Sequence, residues 1–420
     1  MSNIHLYLGD SAVDHLVQYC QKQRYDRFLL VADHNTYAAL GQRVEESLKD
    51  CGWDVKSVVF QEKEVVPDED FIFQVLLQAG ADERAYLAVG SGTLTDIARF
   101  ASHRTRRPFI SIPTAPSVDG FTSPSASLVV RNIKVTVIAH PPSAVIADLP
   151  TLAAAPQPMI AAGFGDILGK AIALADWKLG HLLWDEPYSA EIAARVRQTL
   201  DRCIAAAPEI GQASPAGVEK LMDSLIDSGL CMLDFGNSRP AAGAEHYMSH
   251  FLEMKLLREG RPAVLHGAKV ALCSILTAGL YQQLRQVSRK EAERRLQAST
   301  LPDRAADIAD IHTAFGPIAD KLVVEQAPFL NMTPAAYEQL KGRVLAHWDA
   351  LQELAALVPS PDKMADLLRQ AGGVTTAAGL GLSDEEVDQA LRYSHLFRNR
   401  FTICKLGRIL GLEPYGNSLS

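Results

Sequence analysis

The stretch Tyr86-Leu87-Ala88-Val89-Gly90-Ser91-Gly92-Thr93-Leu94-Thr95-Asp96 carries the pattern that decides the fold. Its continuous apolar run is typical of a strand buried on both faces, and the run stops at a glycine before a helical pattern. Glycines let the backbone approach a charged ligand, and the free amides of a helix N-terminus bind phosphate oxygens. The loop is not the GxGxxG fingerprint, and a glycine-rich turn without a ligand is an equally common alternative.

The same alternation of strand and helix extends over the first 155 residues. Further apolar runs predict strands at 28–32, 55–60, 109–112, 135–139 and 144–147, and helical periodicity lies around 10–23, 36–50, 68–79 and 94–104. Strands that alternate with helices predict an α/β domain with a mostly parallel sheet and helices on both of its faces.

From about residue 156 the pattern is helical. Helices are predicted at 157–181, 186–206, 216–234, 242–259, 263–285 and 288–297, with more to residue 412. We therefore predict two domains, a nucleotide-binding α/β domain over 1–155 and an all-helical domain over 156–420.

Composition limits the function classes. The chain has 420 residues, of which 48% are hydrophobic, and its net charge is −8, so there is no basic surplus for nucleic acid. Six cysteines without a CxxC pair and an N-terminus without a signal-peptide pattern predict a cytoplasmic protein with reduced thiols. His266 and Lys269 interrupt the most apolar long stretch, 262–281, which predicts a buried core helix and no membrane insertion.

A second loop, Ser111-Ile112-Pro113-Thr114-Ala115-Pro116-Ser117-Val118-Asp119-Gly120, leaves the predicted strand at 109–112. In doubly wound sheets, ligands bind beyond the carboxyl ends of the strands, so both loops are expected to face one crevice. The alternative is an ordinary turn in which Asp119 serves as a cap.

Asp33 ends the predicted strand at 28–32. A carboxylate there accepts hydrogen bonds from the adenosine ribose and repels a 2′-phosphate, which favours NAD over NADP, although His34 and Asn35 leave room for both. The alternative is an aspartate that only begins a turn.

Three side chains of the helical half suggest a metal site. Asp166 lies in an apolar segment, His246 and His250 share a helix face at a spacing of four, and His266 begins the next predicted helix. A buried carboxylate needs a partner, and Asp166 with His246 and His266 would form a three-ligand site with one open position. Zn²⁺ suits these ligands best, with Ni²⁺ or Fe²⁺ also possible. The alternatives are a Lys170 partner for Asp166 and hydrogen-bonded structural histidines.

Together these motifs resemble a known family. GSGTLTD, TAPSVDGFTS, GFGDILGK, SRPAAGAEHYMSH and LHGAKVA occur in that order. They are similar to sn-glycerol-1-phosphate dehydrogenase, in particular to its bacterial AraM-like branch. That family belongs to a superfamily with glycerol dehydrogenase, dehydroquinate synthase and iron-containing alcohol dehydrogenases. The resemblance runs from Asp33 to about Lys269, more than half of the chain.

The resemblance implies roles for individual residues. The cofactor pyrophosphate would be held by Gly90, Ser91, Gly92, Thr93, Thr95 and Asp96, and the nicotinamide side would be lined by Thr114, Ala115, Pro116, Ser117 and Ser123. The implied metal ligands are Asp166, His246 and His266, and the implied catalytic and substrate-contacting residues are Asp119, Asp166 and His250.

Arg239 is a hypothetical phosphate ligand. It stands seven residues before His246, where dehydroquinate synthases carry an arginine, and a guanidinium fork suits phosphate. Asn132 and Lys134 are weaker candidates for the same role. The chain departs from its relatives in reading HGAK after His266 where many have HGE, so a carboxylate that would support the metal ligands is missing there.

The resemblance implies a metal-dependent NAD(P)-linked oxidoreductase that interconverts dihydroxyacetone phosphate and sn-glycerol 1-phosphate. Hydride transfer is expected in the cleft between the domains, with the metal stabilising the developing alkoxide. A homodimer and a role in phospholipid biosynthesis are expected from the relatives. The alternatives are a glycerol dehydrogenase for unphosphorylated polyols, a dehydroquinate synthase-like lyase and a nucleotide-binding protein without catalysis.

Overall fold

The computed structural model describes residues 4–131 and 133–412. Contacts between Cα atoms divide the chain into two compact units. The first takes the chain as far as Ile167 together with Ala205–Gly236, and the second takes Leu168–Ile204 and the chain from Asn237 onward. A stretch beyond residue 200 thus belongs with the first unit, and the domain boundary expected after residue 155 stays a prediction.

A six-stranded parallel sheet forms the centre of the first unit. Its strands follow the spatial order β1-β8-β5-β4-β2-β3, and β6 pairs with β7 in a separate antiparallel hairpin. The strands are β1 His5–Gly9, β2 Arg27–Asp33, β3 Asp54–Phe60, β4 Ala85–Val89, β5 Phe109–Ile112, β6 Ser125–Val130, β7 Ile133–Ile138 and β8 Ala144–Asp148.

The sheet reverses its winding direction between β2 and β4. From β2 the chain moves outward to β3, then returns to place β4 on the other side of β2, with β5 beyond it. Such a reversal opens a crevice at the carboxyl ends of the two strands, where doubly wound proteins bind their ligands. Asp33 ends β2, and Gly90 follows β4, so both lie at this crevice.

The other regular elements of the described chain are helical, and loops connect them. Those up to residue 235 are α1 Ala12–Gln23, α2 His34–Thr36, α3 Gln42–Asp50, α4 Glu69–Ala79, α5 Gly92–Thr105, α6 Leu149–Ala153, α7 Gln157–Leu168, α8 Lys170–Trp184, α9 Ala190–Ala205, α10 Ala207–Gly211 and α11 Pro215–Phe235. A π-helical turn, Tyr37–Gly41, joins α2 to α3, and a 3-10 turn, Gly120–Thr122, precedes β6.

The remaining helices belong to the second unit, as do α8 and nearly all of α9. They are α12 Ala244–Arg258, α13 His266–Gln286, α14 Arg289–Ala298, α15 Arg304–Phe315, α16 Ala319–Glu325, α17 Ala327–Leu330, α18 Pro334–Ala346, α19 Trp348–Leu357, α20 Pro361–Gln370, α21 Asp384–Tyr393 and α22 Ile403–Leu410. Short 3-10 turns lie at Gly316–Ile318, Ala378–Leu380 and Ser394–Leu396.

Two apolar clusters sandwich the sheet. One contains Leu30 and Leu87 of the strands with Leu16 of α1 and Val44 of α3. The opposite cluster joins strand residues to α4 and α5, with Val31 and Ala88 packed near Val75 and Ile97. Side chains that alternate along a strand thus reach both clusters, which explains why the strand segments are continuous apolar runs. The predicted parallel sheet with helices on both faces is confirmed.

Three strands differ from the sequence-based expectation. β1 and β6 were not predicted, since the mixed sequence of β1 lies at the edge of the sheet and β6 begins with serine and alanine. The apolar run at 135–139 is a strand, but it belongs to the hairpin and is not buried on both faces. A short apolar run does not reveal which sheet its strand will join.

The most apolar long helical segment of the described residues is Gln157–Trp184, which contains α7 and α8. By length and composition alone it could cross a membrane, with a mean hydropathy of 1.4 in its most apolar window. However, 89% of that window is buried within the protein, as in a core helix. The stretch 262–281, singled out from the sequence as most apolar, lies mainly in α13, which is also largely buried.

Gly163 of α7 lies against the loop that follows β5. A Cβ atom added at Gly163 would stand 1.8 Å from the carbonyl oxygen of Pro116, so the backbones touch where no side chain fits. We expect Gly163→Ala to lower the free energy of unfolding by about 1–3 kcal/mol, the usual cost of overpacking. Differential scanning calorimetry would show this as a lower melting temperature.

Gly342→Ala is the matched control, because a Cβ there meets nothing within 4 Å in the middle of α18. Alanine favours a helix over glycine by up to about 1 kcal/mol, so this variant should melt at the same or a higher temperature. Equal melting temperatures for the two variants would contradict the close packing at Gly163.

Candidate active site

The first helical turn after β4 begins without a side-chain cap. The Gly90 amide donates to the Ile112 carbonyl at 3.0 Å, which extends the sheet ladder into the loop. Ser91 precedes α5 without capping it, and Thr95 makes the first helical bond back to the Ser91 carbonyl at 3.0 Å. The amides of Gly92, Thr93 and Leu94 therefore have no side-chain cap from Ser91, and their contact with a pyrophosphate stays a prediction.

The loop after β5 joins this turn. The hydroxyls of Ser91 and Ser117 share a short hydrogen bond, and the Ser117 amide donates to the Ala115 carbonyl at 3.0 Å. Thr114, Ala115 and Ser117 are buried, and Gly92 lies close to Val118 of the same loop. The two loops that the sequence assigns to one crevice are thus in direct contact.

Asp33 caps a helix at the end of β2. Its Oδ1 accepts from the Thr36 amide at 2.8 Å, and its own amide donates to the Thr36 hydroxyl at 3.0 Å, a reciprocal capping box. The turn-aspartate alternative therefore describes part of what Asp33 does. Its contact with a cofactor ribose stays a prediction.

Buried Arg99 pairs with partly buried Asp96 behind the glycine turn. Arg99 Nη1 donates to Asp96 Oδ1 at 2.5 Å, and the Ser127 amide donates to Oδ2 at 3.1 Å. Burial raises the pKa of the Asp96 carboxyl to about 6, although the Arg99 guanidinium opposes the shift. Arg99 also donates to the carbonyls of Gly120, Phe121 and Ser125. These contacts fasten the loop that carries Asp119, while a pyrophosphate contact of Asp96 stays a prediction.

Asp119 and Asp166 meet within the first unit. The Asp119 amide donates to Asp166 Oδ2 at 3.0 Å, and the Ser228 hydroxyl of α11 donates to Asp119 Oδ2 at 2.8 Å. Asp166 is completely buried near the end of α7. Ser123, predicted to line the nicotinamide, accepts from the Ser125 amide at 3.0 Å in the following turn.

Three histidines converge in the second unit. The ring centre of His266, at the start of α13, lies 5.4 Å from that of His246 and 5.7 Å from that of His250. His246 Nδ1 lies 2.7 Å from Glu245 Oε1, and His250 Nδ1 lies 3.2 Å from Glu253 Oε2. When each Nδ1 carries the proton toward its carboxylate, Nε2 offers its lone pair to a cation. Ligand atoms of His250, Glu253 and His266 lie within 4.8 Å of one another.

Sequence reasoning missed these supporting carboxylates. It looked for one two residues after His266, where Ala268 stands, and found none. The structure supplies Glu245 and Glu253 from α12, and buried Lys269 lies 3.7 Å from Glu253. The available signals were the adjacency of Glu245 to His246 and the spacing of three between His250 and Glu253.

Asp176 of α8 is a second missed residue. Its Oδ2 accepts from the Ala244 amide at 2.8 Å, the first amide of α12. Its Oδ1 accepts from the Tyr281 hydroxyl and the Ile403 amide, both at 2.7 Å. Burial raises the pKa of Asp176 to about 7, and the neighbouring Glu245 carboxylate adds to the rise. One carboxylate thus fastens α12, which bears His246 and His250, to α8, α13 and the start of α22.

The candidate phosphate ligands Arg239 and Lys134 belong to different units. Arg239 Nε donates to buried Glu186 at 2.8 Å in the second unit. Lys134 lies on β7, paired with Val129 in the hairpin of the first unit. Asn132 lies outside the described residues.

Known proteins with similar sequence or structure agree with this architecture. The model of a family described as iron-containing alcohol dehydrogenase matches residues 7–156. A structure described as a probable glycerol dehydrogenase from Sinorhizobium meliloti superposes with a TM-score of 0.64 at 18% identity, covering 99% of this chain and 98% of that one. At that identity the similarity shows the fold.

Two bacterial relatives are closer in sequence. The chain is 36% identical over 401 residues to glycerol-1-phosphate dehydrogenase (NAD(P)+) of Halalkalibacterium halodurans, covering 95% of this chain and 90% of that protein. It is 37% identical over 402 residues to the protein of the same name from Geobacillus stearothermophilus, with the same coverage. Because both similarities extend over nearly the whole chain, this protein belongs to the glycerol-1-phosphate dehydrogenase family.

Proposed function

We propose that this protein is an NAD(P)-dependent oxidoreductase that interconverts dihydroxyacetone phosphate and sn-glycerol 1-phosphate. The observation that carries the proposal is the cluster of His246, His250 and His266, each of the first two backed by a carboxylate. The names of the relatives, which share 36–37% identity with 95% of this chain, supply the substrate. A cofactor oxidation assay with dihydroxyacetone phosphate, combined with chiral analysis of the product and metal analysis, tests it directly.

The first unit is proposed to bind the cofactor. The uncapped first turn of α5 would hold the pyrophosphate through backbone amides, and the loop after β5 would line the nicotinamide through Thr114, Ala115, Pro116, Ser117 and Ser123. Asp33 would accept from the adenosine ribose while it caps α2. This arrangement needs no basic side chain for the pyrophosphate, since helix amides and close backbone approach suffice.

His246 and His266, with Asp166 as the third ligand, are proposed to hold a divalent metal, Zn²⁺ by preference and Ni²⁺ or Fe²⁺ as alternatives. The residues fit such an ion, because the Glu245 carboxylate behind His246 fixes the ring and keeps Nε2 as a lone-pair donor. Asp166 is a fully buried carboxylate two residues before the second unit begins. A metal ion there would supply Lewis-acid polarisation of the substrate oxygen.

His250 and Asp119 are proposed to contact the substrate oxygens, His250 for proton transfer and Asp119 as a hydrogen-bond acceptor. His250 is 22% exposed and is oriented by Glu253, so it can pass a proton between the substrate oxygen and solvent. The Asp119 carboxylate is held in place by the Ser228 hydroxyl and would accept from a substrate hydroxyl. A homodimer, a cytoplasmic location and a role in lipid biosynthesis stay predictions.

The two alternative activities give different assay results. A glycerol dehydrogenase would oxidise glycerol better than sn-glycerol 1-phosphate. A dehydroquinate synthase-like lyase would regenerate its NAD, so it would show no net consumption of NADH in the steady state. Net oxidation of NADH by dihydroxyacetone phosphate, with dihydroxyacetone a poor substrate, is the expected result.

Asp33→Asn tests the ribose contact. Asparagine keeps an oxygen that can cap α2 but removes the negative charge that would repel a 2′-phosphate. Like charges about 4 Å apart repel by ~1 kcal/mol in water and by ~4 kcal/mol near a protein surface, so the ratio of kcat/KM for NADPH to that for NADH should rise at least about fivefold. Asp68→Asn, which alters the comparable cap of α4, should leave the ratio unchanged. If the unaltered protein, Asp33→Asn and Asp68→Asn all have the same ratio of kcat/KM for NADPH to that for NADH, the role of Asp33 is refuted.

His266→Ala tests the metal site. Loss of a direct ligand should remove most bound metal and lower kcat/KM by more than the ~10–100-fold typical of losing a supporting partner. The control is His312→Ala, because His312 is a half-exposed histidine of the same unit whose described ion-pair partner is Asp320 at 3.6 Å. Metal content by mass spectrometry and cooperative melting should be measured together. A folded His266→Ala protein with full activity and no bound metal would refute the assignment of His266 as a metal ligand.

Arg239→Ala tests recognition of the phosphate. A hydrogen bond to a charged group contributes about 1.5–3 kcal/mol, so KM for dihydroxyacetone phosphate should rise about 10–100-fold with a smaller change in kcat. The activity with unphosphorylated dihydroxyacetone should change much less. A KM equal to that of the unaltered protein would reject Arg239 as a phosphate ligand.

A further inference from the structure

Glu186 is a buried carboxylate whose position is fixed from several sides. It lies between α8 and α9 with a side-chain exposure of only 6%. Its amide donates to the Gly180 carbonyl at 3.3 Å, and its carbonyl oxygen lies 2.9 Å from His181 Nδ1. Its Oε1 accepts from the Phe401 amide at 2.7 Å, which leaves Oε2 for Arg239 Nε at 2.8 Å.

The helix beside Glu186 leaves the carboxylate little room to turn. A Cβ atom added at Gly180 would lie 2.9 Å from Glu186 Cδ and 3.1 Å from its Oε2. The carboxylate therefore packs directly on the backbone of α8, at a place where any larger residue would displace it. Its two oxygens consequently point to two different partners, Phe401 and Arg239.

The Arg239 guanidinium is fixed only through its Nε group. Nε donates to Glu186, whereas Nη1 and Nη2 donate to nothing within the described part of the chain. The side chain is 22% exposed, so these two groups can reach a ligand. The loop that carries Arg239 is fixed independently, because Arg400 donates to the Ser238 hydroxyl at 3.1 Å and to the Ala242 carbonyl at 3.3 Å.

We infer that Glu186 is a positioning residue that fixes the Arg239 guanidinium so that its two Nη groups face the phosphate of the substrate together. A planar fork gives two parallel hydrogen bonds to phosphate only when its plane is correctly set, and the Nε bond sets that plane. Fixing the side chain before binding also removes much of the entropy cost of ordering a long side chain. This inference rests on the proposed function, since it assigns selectivity for phosphorylated substrates to that site.

Positioning and simple charge attraction predict opposite effects of Glu186→Gln. The substitution removes a negative charge beside Arg239, so attraction alone would strengthen the binding of a phosphate. Glutamate accepts from the Phe401 amide through one oxygen and from Arg239 Nε through the other. Glutamine has only one oxygen, and its NH₂ group cannot accept a hydrogen bond. If Glu186 acts by positioning, the substitution therefore releases the Arg239 guanidinium. A higher KM in Glu186→Gln therefore indicates a positioning role, and a lower KM indicates simple charge attraction.

The experiment compares metal-loaded Glu186→Gln, Arg239→Ala and the double variant with the unaltered protein. We expect Glu186→Gln to raise KM for dihydroxyacetone phosphate about tenfold, and to lower the preference for this substrate over dihydroxyacetone by a similar factor. Inhibition by inorganic phosphate should weaken in parallel. The double variant should have the same KM as Arg239→Ala, because the two residues act through one contact. Asp185→Asn, a change at the exposed neighbour that bonds Arg343, should leave KM unaltered.

The possible outcomes are distinguishable. A KM that is unchanged or lower in Glu186→Gln, while Arg239→Ala raises it, overturns the positioning role and leaves the proposed function intact. If the unaltered protein does not use dihydroxyacetone phosphate, the proposed function itself fails. Should Glu186→Gln not fold, Arg239→Lys decides, because it keeps the charge but has no Nε–Nη fork to orient. A KM unaffected by Arg239→Lys would then overturn the inference.

Discussion

The buried carboxylate of Asp176 is the constraint on which the helical unit depends. It draws the first amide of α12, a tyrosine of α13 and the amide that begins α22 onto one pair of oxygens. Removing a carboxylate from water is costly, and it is tolerated because three donors replace the lost hydration. The consequence is geometric, because the direction of α12 decides where the rings of His246 and His250 lie. Packing of apolar side chains alone would not fix that helix so narrowly.

The sequence allowed much of this to be anticipated. The central strands were predicted because burial on both faces makes them continuous apolar runs, and the histidines because a spacing of four puts two rings on one helix face. Asp176 and Glu186 could not be predicted, since their partners Ile403 and Phe401 are more than two hundred residues away. β1 is absent from the prediction for a related reason, because only its pairing with β8 makes it a strand.

The sites proposed in the two units would recognise negative charge by different means. In the first unit the candidate phosphate site consists of backbone amides at an uncapped helix end, which carry no net charge. In the second unit the candidate is a guanidinium whose charge is already balanced by a buried glutamate. In both, directed donors rather than accumulated positive charge would provide selectivity, in keeping with a protein of net charge −8.

Arg99 has a consequence for how the first unit comes apart. Its side chain is wholly enclosed and bonds the carbonyls of Gly120, Phe121 and Ser125 together with the Asp96 carboxylate. Separation of that segment from α5 would leave the Arg99 cation and its acceptors buried without hydrogen-bond partners, all at the same time. The end of the loop, the start of the hairpin and the first turns of α5 should therefore open as one cooperative piece, not by gradual fraying.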